Sequence, residues 1–470
     1  MIASSTAKIH GHYDFFTGLI TLDKYAAKEL DTVHFALNHL PPPSNTPEAI
    51  DLRDIRALVK HEITHFLDHT TTLWGLEFLF RRSCLIRSLK QRESDVKQRL
   101  DVYLLNAAEL QMHSDLIKIH KKIPFDQCSS VNHELVQDKL HGPTIIIKFY
   151  QGKELVCDVP LSMLSLLEAN AIANEYLSRF DDLAYMNQED KIVADAAVER
   201  RLEKILNETD LAEYSVLIRL AKMHFRFFDT RQLLAYMSVL VNFCLNATIY
   251  SLGAISENIR HSFKNKRIGT GIWADLCRGM SRHVIAFKTI LLMYNWIDIS
   301  SPEKKQRIIE IMMSHPYQAI EMFWDEHRVS KIVEVGFEKD ASLEFLREEG
   351  FEEEFGIASQ AIKKNRNWLQ RGNLEGSSFS EIASIDILLC DDSIVPYPYR
   401  IDFDVLNHSY KVIDVYTKLD EITKESIKKF HMPLEQASEM LEQILTKKEA
   451  AQARMRQKKS AVSNYPTRGD

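Results

Sequence analysis

Apolar and polar positions along the chain follow two periods, and each predicts a different kind of element. A period of two, typical of strands, occurs near the beginning in DFFTGLITLD (14–23) and TVHFALNHL (32–40). It returns in PTIIIKFYQGKELVCDVP (143–160), where two runs rich in β-branched residues flank the turn residues QGK. This last pattern predicts a β-hairpin over residues 144–158.

Much of the remaining chain has apolar residues at the three- and four-residue spacings of helices. One long helix is predicted to begin at Pro47 or Asp51, because a proline suits the first turn of a helix. This helix should end or bend between residues 70 and 75, where three threonines and a glycine weaken helical propensity.

Further helices are predicted over 76–120, over 161–179 and through most of the second half of the chain, so the expected fold class is mainly helical, with a minor β component (α+β). The low content of glycine (15) and proline (13) in 470 residues agrees, since turns are few. The length allows more than one domain. We divide the chain into 1–190, 191–371 and 372–470, the last beginning at GNLEGSS and ending in a helical, partly disordered tail.

The charge and the cysteines exclude several classes of protein. A net charge of −7 and a pI of about 6.2 provide no basic surface of the kind that binds nucleic acid. The six cysteines are scattered without a Cys-x-x-Cys pair, which is typical of reduced core thiols in a cytoplasmic protein. The N-terminus lacks the apolar core of a signal peptide, so secretion is not expected.

One stretch raises the question of a membrane. Residues 232–256 carry no charged side chain, and 25 residues are long enough to span a bilayer. The stretch includes Gln232, Asn242 and Asn246, however, and its flanks have no basic anchor pattern. A buried helix is therefore favoured over a membrane span, and a membrane partner is not expected.

The candidate chemistry lies in LVKHEITHFLDH (58–69), within the first long helix. His61 and His65 are four residues apart, so they share one face of a helix and can present ring nitrogens to a single metal ion. Glu62 is displaced by about 100° around the helix, where it could take a proton from a water molecule that the ion activates. The alternative is a helix whose two histidines only form hydrogen bonds.

The surroundings of the motif favour the metal, because apolar residues precede and follow it and neither proline nor glycine interrupts it. The ten residues LVKHEITHFL resemble the extended signature of the zincin metallopeptidases. The resemblance implies that His61 and His65 bind Zn²⁺ and that Glu62 is the general base of peptide-bond hydrolysis. It also implies a zincin-like catalytic portion, with its hairpin, embedded in a large helical protein.

A catalytic zinc ion needs a third protein ligand. His69 extends the row of histidines, but eight residues at 1.5 Å each place it about 12 Å from His61 along a straight helix. We therefore expect His69 at the surface or behind the ligands. Asp68 could orient a ligand ring or cap the helix.

Zincins of the gluzincin group take the third ligand from a glutamate on a later helix, and the resemblance implies Glu168 in LLEANAIANEY. Glu168 lies in an otherwise apolar, small-residue helix, where an unpaired carboxylate is costly to bury. The sequence departs from the gluzincin pattern ExxxD at Ile172, and Glu168 follows His65 by about a hundred residues. Glu175 and Glu199 remain alternative ligands, and Glu175 could instead be hydrogen-bonded to a ligand histidine.

These residues predict a cytoplasmic zinc-dependent metallopeptidase that acts on a protein or peptide substrate and leaves room for a regulatory protein partner. The alternative is a non-catalytic interaction or scaffold protein that retains a zincin-like fold. The hairpin over 144–158 could support an extended substrate or serve the structure alone. The residue that stabilises the oxyanion stays open among Tyr176, Tyr250, His261 and Arg282-His283.

Overall fold

The computed structural model describes residues 10–91, 110, 112–138, 141–326, 335–366, 372–405 and 407–408. Within these residues helices predominate over two small sheets, which confirms the mainly helical fold class with a minor β component. The helical, partly disordered tail predicted for the end of the chain lies outside the described residues.

Most of the helices pack around one main hydrophobic core. The helices of the described residues are α1 (Leu30–Asn38), α2 (Pro47–Thr71), α3 (Leu73–Gln91), α4 (Met163–Asp182), α5 (Gln188–Asn207), α6 (Ala212–His224), α7 (Thr230–Leu245), α8 (Ile249–Ser262), α9 (Lys266–Cys277), α10 (His283–Ile299), α11 (Pro302–Ser314), α12 (Pro316–Glu326), α13 (Val335–Glu348) and α14 (Glu352–Lys364). A smaller apolar cluster joins α3 to α13 and α14.

The strands form two sheets of four. They are β1 (His12–Asp14), β2 (Leu19–Leu22), β3 (Lys118–Ile119), β4 (Ser130–Asp138), β5 (Gly142–Gln151), β6 (Glu154–Leu161), β7 (Ile387–Leu389) and β8 (Ile394–Val395). The first sheet has the order β1-β2-β7-β8, and the second has the order β3-β6-β5-β4. β2 pairs with β7 in parallel. A strand from residues 372–470 therefore lies beside a strand from residues 1–190.

The second sheet contains the hairpin that the sequence predicts. β5 and β6 pair in antiparallel fashion up to Gln151 and Glu154. Gly152 in the turn between them has φ +61°, a left-handed conformation that glycine adopts without a steric cost. β4, which the sequence analysis did not single out, pairs along β5 and widens the hairpin into a sheet.

The prediction of a strand over 32–40 is wrong, because most of this stretch belongs to α1. Val33, Ala36 and Leu37 are buried, whereas Phe35 is 44% exposed. The buried residues therefore occupy positions i, i+3 and i+4, which form one face of a helix. In so short a stretch this pattern resembles the alternation of a strand.

The helical region predicted over 76–120 is confirmed as far as Gln91 and is wrong from residue 114 onward. α3 covers it as far as Gln91, residues 92–109 lie outside the described part of the chain, and residues 114–116 form a 3-10 turn. By Lys118 the chain has joined the second sheet, where β3 pairs with β6. Just before the turn, the backbone N–H of His113 donates a hydrogen bond to Glu213 of α6.

α2 carries the histidine motif in its second half. Thr46 caps its first turn by accepting a hydrogen bond from the Ala49 N–H, and Pro47 follows at a position where no donor is needed. From residue 59 to residue 71 every residue except His61 is buried. α2 as a whole packs against α1, α3, α4, α14 and the first sheet. The burial of its second half places the motif inside the protein.

The break between α2 and α3 requires a glycine at position 75. A Cβ on Gly75 would lie 2.3 Å from the carbonyl oxygens of both Asp68 and His69, which belong to the last turn of α2. These backbone atoms cannot move aside unless the junction opens. Gly75→Ala is therefore expected to lower the free energy of unfolding by about 2–4 kcal/mol, measured by urea denaturation.

A glycine within a helix provides the control for this prediction. Gly253 lies in α8, and a Cβ there would meet nothing within 4 Å. Gly253→Ala should raise stability by about 0.5–1 kcal/mol, because alanine is the better helix former. Equal effects of the two substitutions would show that the junction does not depend on the close approach of Gly75 to the end of α2.

The uncharged stretch 232–256 is divided between two helices. α7 places most of its residues in the core, and the direction of the chain changes by 106° before α8. Within the described ranges, no helix is by itself long and apolar enough to cross a membrane. Only α7 and α8 taken together would meet the length and composition, as a sharply bent pair.

All six cysteines lie among the described residues and are free thiols. Cys128, Cys157 and Cys244 are buried, as expected for core thiols. Cys277 and Cys390 are exposed, so the prediction of a core position is wrong for these two.

Candidate metal centre

Two helices bring the three predicted ligands together. α2 carries His61 and His65, and α4 carries Glu168. The Ser162 hydroxyl caps α4 by accepting a hydrogen bond from the backbone N–H three residues later. α4 packs against α2, and three of its small side chains are fully buried: Ala169, Ala171 and Ala173.

One ring nitrogen of each histidine faces the Glu168 carboxylate. His61 Nε2 lies 3.4 Å from Oε2 of Glu168, and His65 Nε2 lies 3.6 Å from its Oε1. Each residue offers one ligand atom, and these atoms all lie within 4.8 Å of one another. Among the histidine, cysteine, aspartate and glutamate side chains that the structure describes, no other group of three or more converges in this way.

The charge state of this group suits a cation. Burial alone would raise the pKa of the Glu168 carboxyl, but the imidazoles of His65 and His61 outweigh it and lower that pKa to about 2. Burial lowers the pKa of His65, which favours the neutral ring. Burial also acts to lower the pKa of His61, but Glu168 and Glu175 outweigh it and raise that pKa. A metal ion would displace the His61 proton, since an imidazole binds metals through a free lone pair.

Glu175, one of the alternative ligands, lies on the far side of the His61 ring. Its Oε2 is 3.1 Å from His61 Nδ1. Arg179, one turn later on α4, donates a hydrogen bond to the Oε1 of Glu175 at 3.0 Å and also pairs with Asp54 of α2. Glu175 therefore orients the ring, while Glu199, the other alternative, is exposed on α5.

Glu62 is buried beside the group without being one of its three members. Burial is the main cause that raises the pKa of its carboxyl to about 8, with His61 acting to lower it and Glu168 acting to raise it. Gly11, just before β1, lies against it, since a Cβ there would be 3.3 Å from Glu62 Oε1. A cation would lower this pKa, so the carboxyl suits proton exchange near neutral pH.

His69 does not join the group. It is 0% exposed, so of the two positions expected for it, at the surface or behind the ligands, the surface one is wrong. Tyr13 Oη lies 2.7 Å from its Nδ1, and the ring of Phe15 packs against it with centroids 5.4 Å apart. Asp68 accepts two hydrogen bonds from the Asn170 amide, at 2.9 and 3.0 Å, and so joins α2 to α4 instead of capping the helix.

A phenol that the sequence did not predict interacts electrostatically with the group. Tyr214 is on α6, which packs against α4. Burial, followed by the carboxylates of Glu168 and Glu213, raises the pKa of its hydroxyl well above the ordinary value. Tyr214 therefore keeps its proton within electrostatic reach of Glu168. No local pattern marks this residue, because only the packing of α6 on α4 brings it here.

The residues left open as oxyanion stabilisers have other surroundings. Tyr250 and His261 are exposed on α8: Tyr250 is 71% exposed, and the side chain of His261 is 71% exposed. Arg282 donates hydrogen bonds to the carbonyl oxygens of residues 244, 245 and 247. Tyr176 is buried, and the guanidinium of Arg179 lies 5.4 Å from the centroid of its ring.

Comparison with known proteins adds no family to this picture. The chain matches no protein-family model, no curated protein and no solved structure. The resemblance to zincins therefore rests on residues 58–67 alone.

Proposed function

We propose that this protein is a cytoplasmic zinc-dependent metallopeptidase of gluzincin-like type, acting on a protein or peptide substrate. One observation carries the proposal: Glu168 converges with His61 and His65 to within 4.8 Å, although about a hundred residues separate them along the chain. This is the ligand set that the resemblance implies. The proposal includes a zincin-like catalytic portion in residues 1–190.

The donor set fits zinc. Two imidazole nitrogens and one carboxylate oxygen are ligands of the kind that catalytic zinc sites use, with a further position left open for the reaction. The contact of His61 Nδ1 with Glu175 leaves Nε2 as the ligand atom of that ring. A zinc ion held by His61, His65 and Glu168 would supply a Lewis acid for the carbonyl group of the substrate.

The side chains around the group would move protons and position the reactants. Glu62 would take a proton from the attacking water at a carboxylate oxygen and deliver it to the amide nitrogen as the C–N bond breaks. Tyr214, whose hydroxyl stays protonated, would donate a hydrogen bond to the carbonyl oxygen as negative charge develops there. Glu175 and Arg179 would hold the His61 ring in one orientation.

A second candidate function is favoured by the closure of the site. Glu62 is 3% exposed, His65 is 4% exposed and Glu168 is 9% exposed. Hydrolysis of an extended peptide requires these residues to become accessible, and a regulatory protein partner could provide the opening. A non-catalytic interaction or scaffold protein, with zinc serving only structure or absent, requires no opening.

Removal of the metal tests the proposal. The purified protein should contain zinc, and dialysis against a chelator should abolish hydrolysis of a quenched-fluorescence peptide library. Adding Zn²⁺ back should restore the rate, because the side chains are already in place. Hydrolysis that survives loss of the metal would contradict the proposal. Tightly held zinc without any cleavage would favour the scaffold function.

A further inference from the structure

A network of hydrogen bonds between buried side chains links α2, α4 and α7. The amide nitrogen of Asn170, on α4, donates to both carboxylate oxygens of Asp68, on α2, at 2.9 and 3.0 Å. The amide oxygen of Asn170 accepts hydrogen bonds from the Ser238 hydroxyl, on α7, at 2.7 Å and from the Asn174 amide at 3.0 Å. All four residues are buried, with at most 4% of each exposed.

A backbone donor at the end of the network fixes the direction of the bonds that follow it. The Leu374 N–H can only donate, and its nitrogen lies 2.9 Å from Oδ1 of Asn174, so Nδ2 of Asn174 faces Asn170. Because an amide nitrogen only donates, Asn170 meets it with its oxygen and presents its own nitrogen to Asp68. Both amides therefore have one orientation. Bonds of this kind are costly to leave unmade inside a protein.

The network lies within one helical turn of the candidate metal centre on both α2 and α4. Asp68 follows His65 by three residues, and Asn170 follows Glu168 by two, whereas a turn takes 3.6 residues. The contact of Asn170 with Asp68 is therefore a neighbour of the contact of Glu168 with His65, in which Oε1 and Nε2 are 3.6 Å apart. The hydrogen-bonded contact limits how far α4 can move along α2 beside the ligands.

We propose that Asn170 is a positioning residue of the metal centre, which acts through Asp68 to hold Glu168 at the distance from His65 that a shared ion requires. Functional side chains need to stay within about 0.5 Å of their working geometry, so a small movement of α4 along α2 would weaken the site. The inference rests on the proposed function, because it takes His61, His65 and Glu168 as ligands of a metal ion.

This role differs from that of Glu175. Glu175 lies against the ring of one ligand, 3.1 Å from His61 Nδ1, and so orients that ring. Asn170 joins the helix of Glu168 to the helix of both histidines. Loss of Asn170 should therefore change the arrangement of the ligands around the ion as well as the affinity for it.

Metal binding by Asn170→Ala tests this proposal. The variant should bind Zn²⁺ about 10–100-fold more weakly than the wild type, the range typical of residues behind the ligands, measured by competition with a chromogenic chelator. The visible absorption spectrum of the Co²⁺-loaded variant should also differ from that of the wild type, because this spectrum depends on ligand geometry.

The matched control is Asn365→Ala. Asn365 is a fully buried asparagine that exchanges two hydrogen bonds with the backbone of Ala383. This variant loses similar bonds outside the contact between α2 and α4, so it should keep both the Zn²⁺ affinity and the Co²⁺ spectrum of the wild type.

Substitutions of Asp68 show whether Asn170 acts through it. Asp68→Ala should weaken Zn²⁺ binding as much as Asn170→Ala does, and the double variant should bind no more weakly than either, since all three lose the same contact. Asp68→Asn keeps an oxygen that can accept from Asn170, so it should retain most of the affinity. Losses that multiply in the double variant would show that the two residues act independently and would overturn the proposal.

The outcomes separate this proposal from the proposed function. Wild-type affinity and an unchanged Co²⁺ spectrum in Asn170→Ala would overturn the positioning role and leave the proposed function intact. An equal loss of affinity in Asn365→Ala would do the same, since the effect would then be a general one. A wild-type protein that binds no zinc would instead overturn the proposed function.

A milder variant decides if circular dichroism shows that Asn170→Ala is unfolded. Ser238→Ala removes one hydroxyl group on α7, which contacts the amides of Asn170 and Asn174. This variant should bind Zn²⁺ more weakly than the wild type and should change the Co²⁺ spectrum. If Ser238→Ala matches the wild type in both measurements, the positioning role is overturned.

Discussion

Replacing Glu62 with glutamine is expected to lower the rate of peptide hydrolysis by about 10²–10⁴-fold while leaving the zinc content unchanged. Glutamine has nearly the shape of glutamate, so the contact with Gly11 and the packing of α2 should survive. The proposed ligands His61, His65 and Glu168 are untouched. An amide cannot take the proton that a carboxylate takes, so only the proton transfer is lost.

The measurement combines the zinc content per chain with the initial rate on a quenched-fluorescence peptide library. Glu199→Gln is the control. Glu199 is an exposed glutamate on α5, so this substitution makes the same chemical change away from the site. Its rate should equal that of the wild type. Equal rates for Glu62→Gln and wild type would rule out Glu62 as the general base. Loss of zinc in Glu62→Gln would mean that Glu62 supports the metal instead.

Glu168→Ala is expected to remove zinc from the site that His61, His65 and Glu168 form and, with it, all hydrolysis. The substitution deletes the carboxylate that faces both histidine rings, at 3.4 Å from His61 Nε2 and 3.6 Å from His65 Nε2. Two imidazoles alone leave the ion without the third protein ligand that catalytic zinc sites have. Zinc affinity is measured by competition with a chromogenic chelator, and circular dichroism checks that the variant folds.

Glu175→Ala provides the graded comparison. Glu175 contacts the outer nitrogen of His61 and does not belong to the converging group. Its loss should weaken zinc binding by about 10–100-fold, the range typical of residues that orient a ligand. Glu168→Ala should weaken it by more. The reverse order would exchange the roles of the two glutamates.

His69→Phe completes this series as a substitution within the histidine row. His69 is fully buried, and an aromatic ring of similar size suits its surroundings of Tyr13 and Phe15. The variant should keep its zinc and lose about 1–3 kcal/mol of stability, because the Tyr13 hydroxyl loses its buried partner. Loss of zinc in this variant would contradict the ligand assignment.

Elements that depend on neighbouring residues could be predicted from the sequence. The long helix α2 begins at Pro47 because Thr46 caps it, and it ends at Thr71, just before the glycine that permits the sharp turn. The hairpin of β5 and β6 follows from two β-branched runs around Gly152. In each case the information lies within a few residues of the element.

Elements whose identity depends on distant partners could not be predicted. The stretch that forms α1 alternates like a strand, and only its packing against α2 shows which residues are buried. Tyr214 carries no sequence signal, and it interacts electrostatically with Glu168 only because α6 packs on α4.

The candidate metal centre divides in the same way. The four-residue spacing of His61 and His65 determined by itself that both rings would share one face, since a helix repeats every 3.6 residues. The sequence also excluded His69 from that group by the rise of the helix. Only the tertiary structure could decide which glutamate meets the two rings. Side-chain packing between α2 and α4 places Glu168 opposite both histidines and leaves Glu175 behind His61.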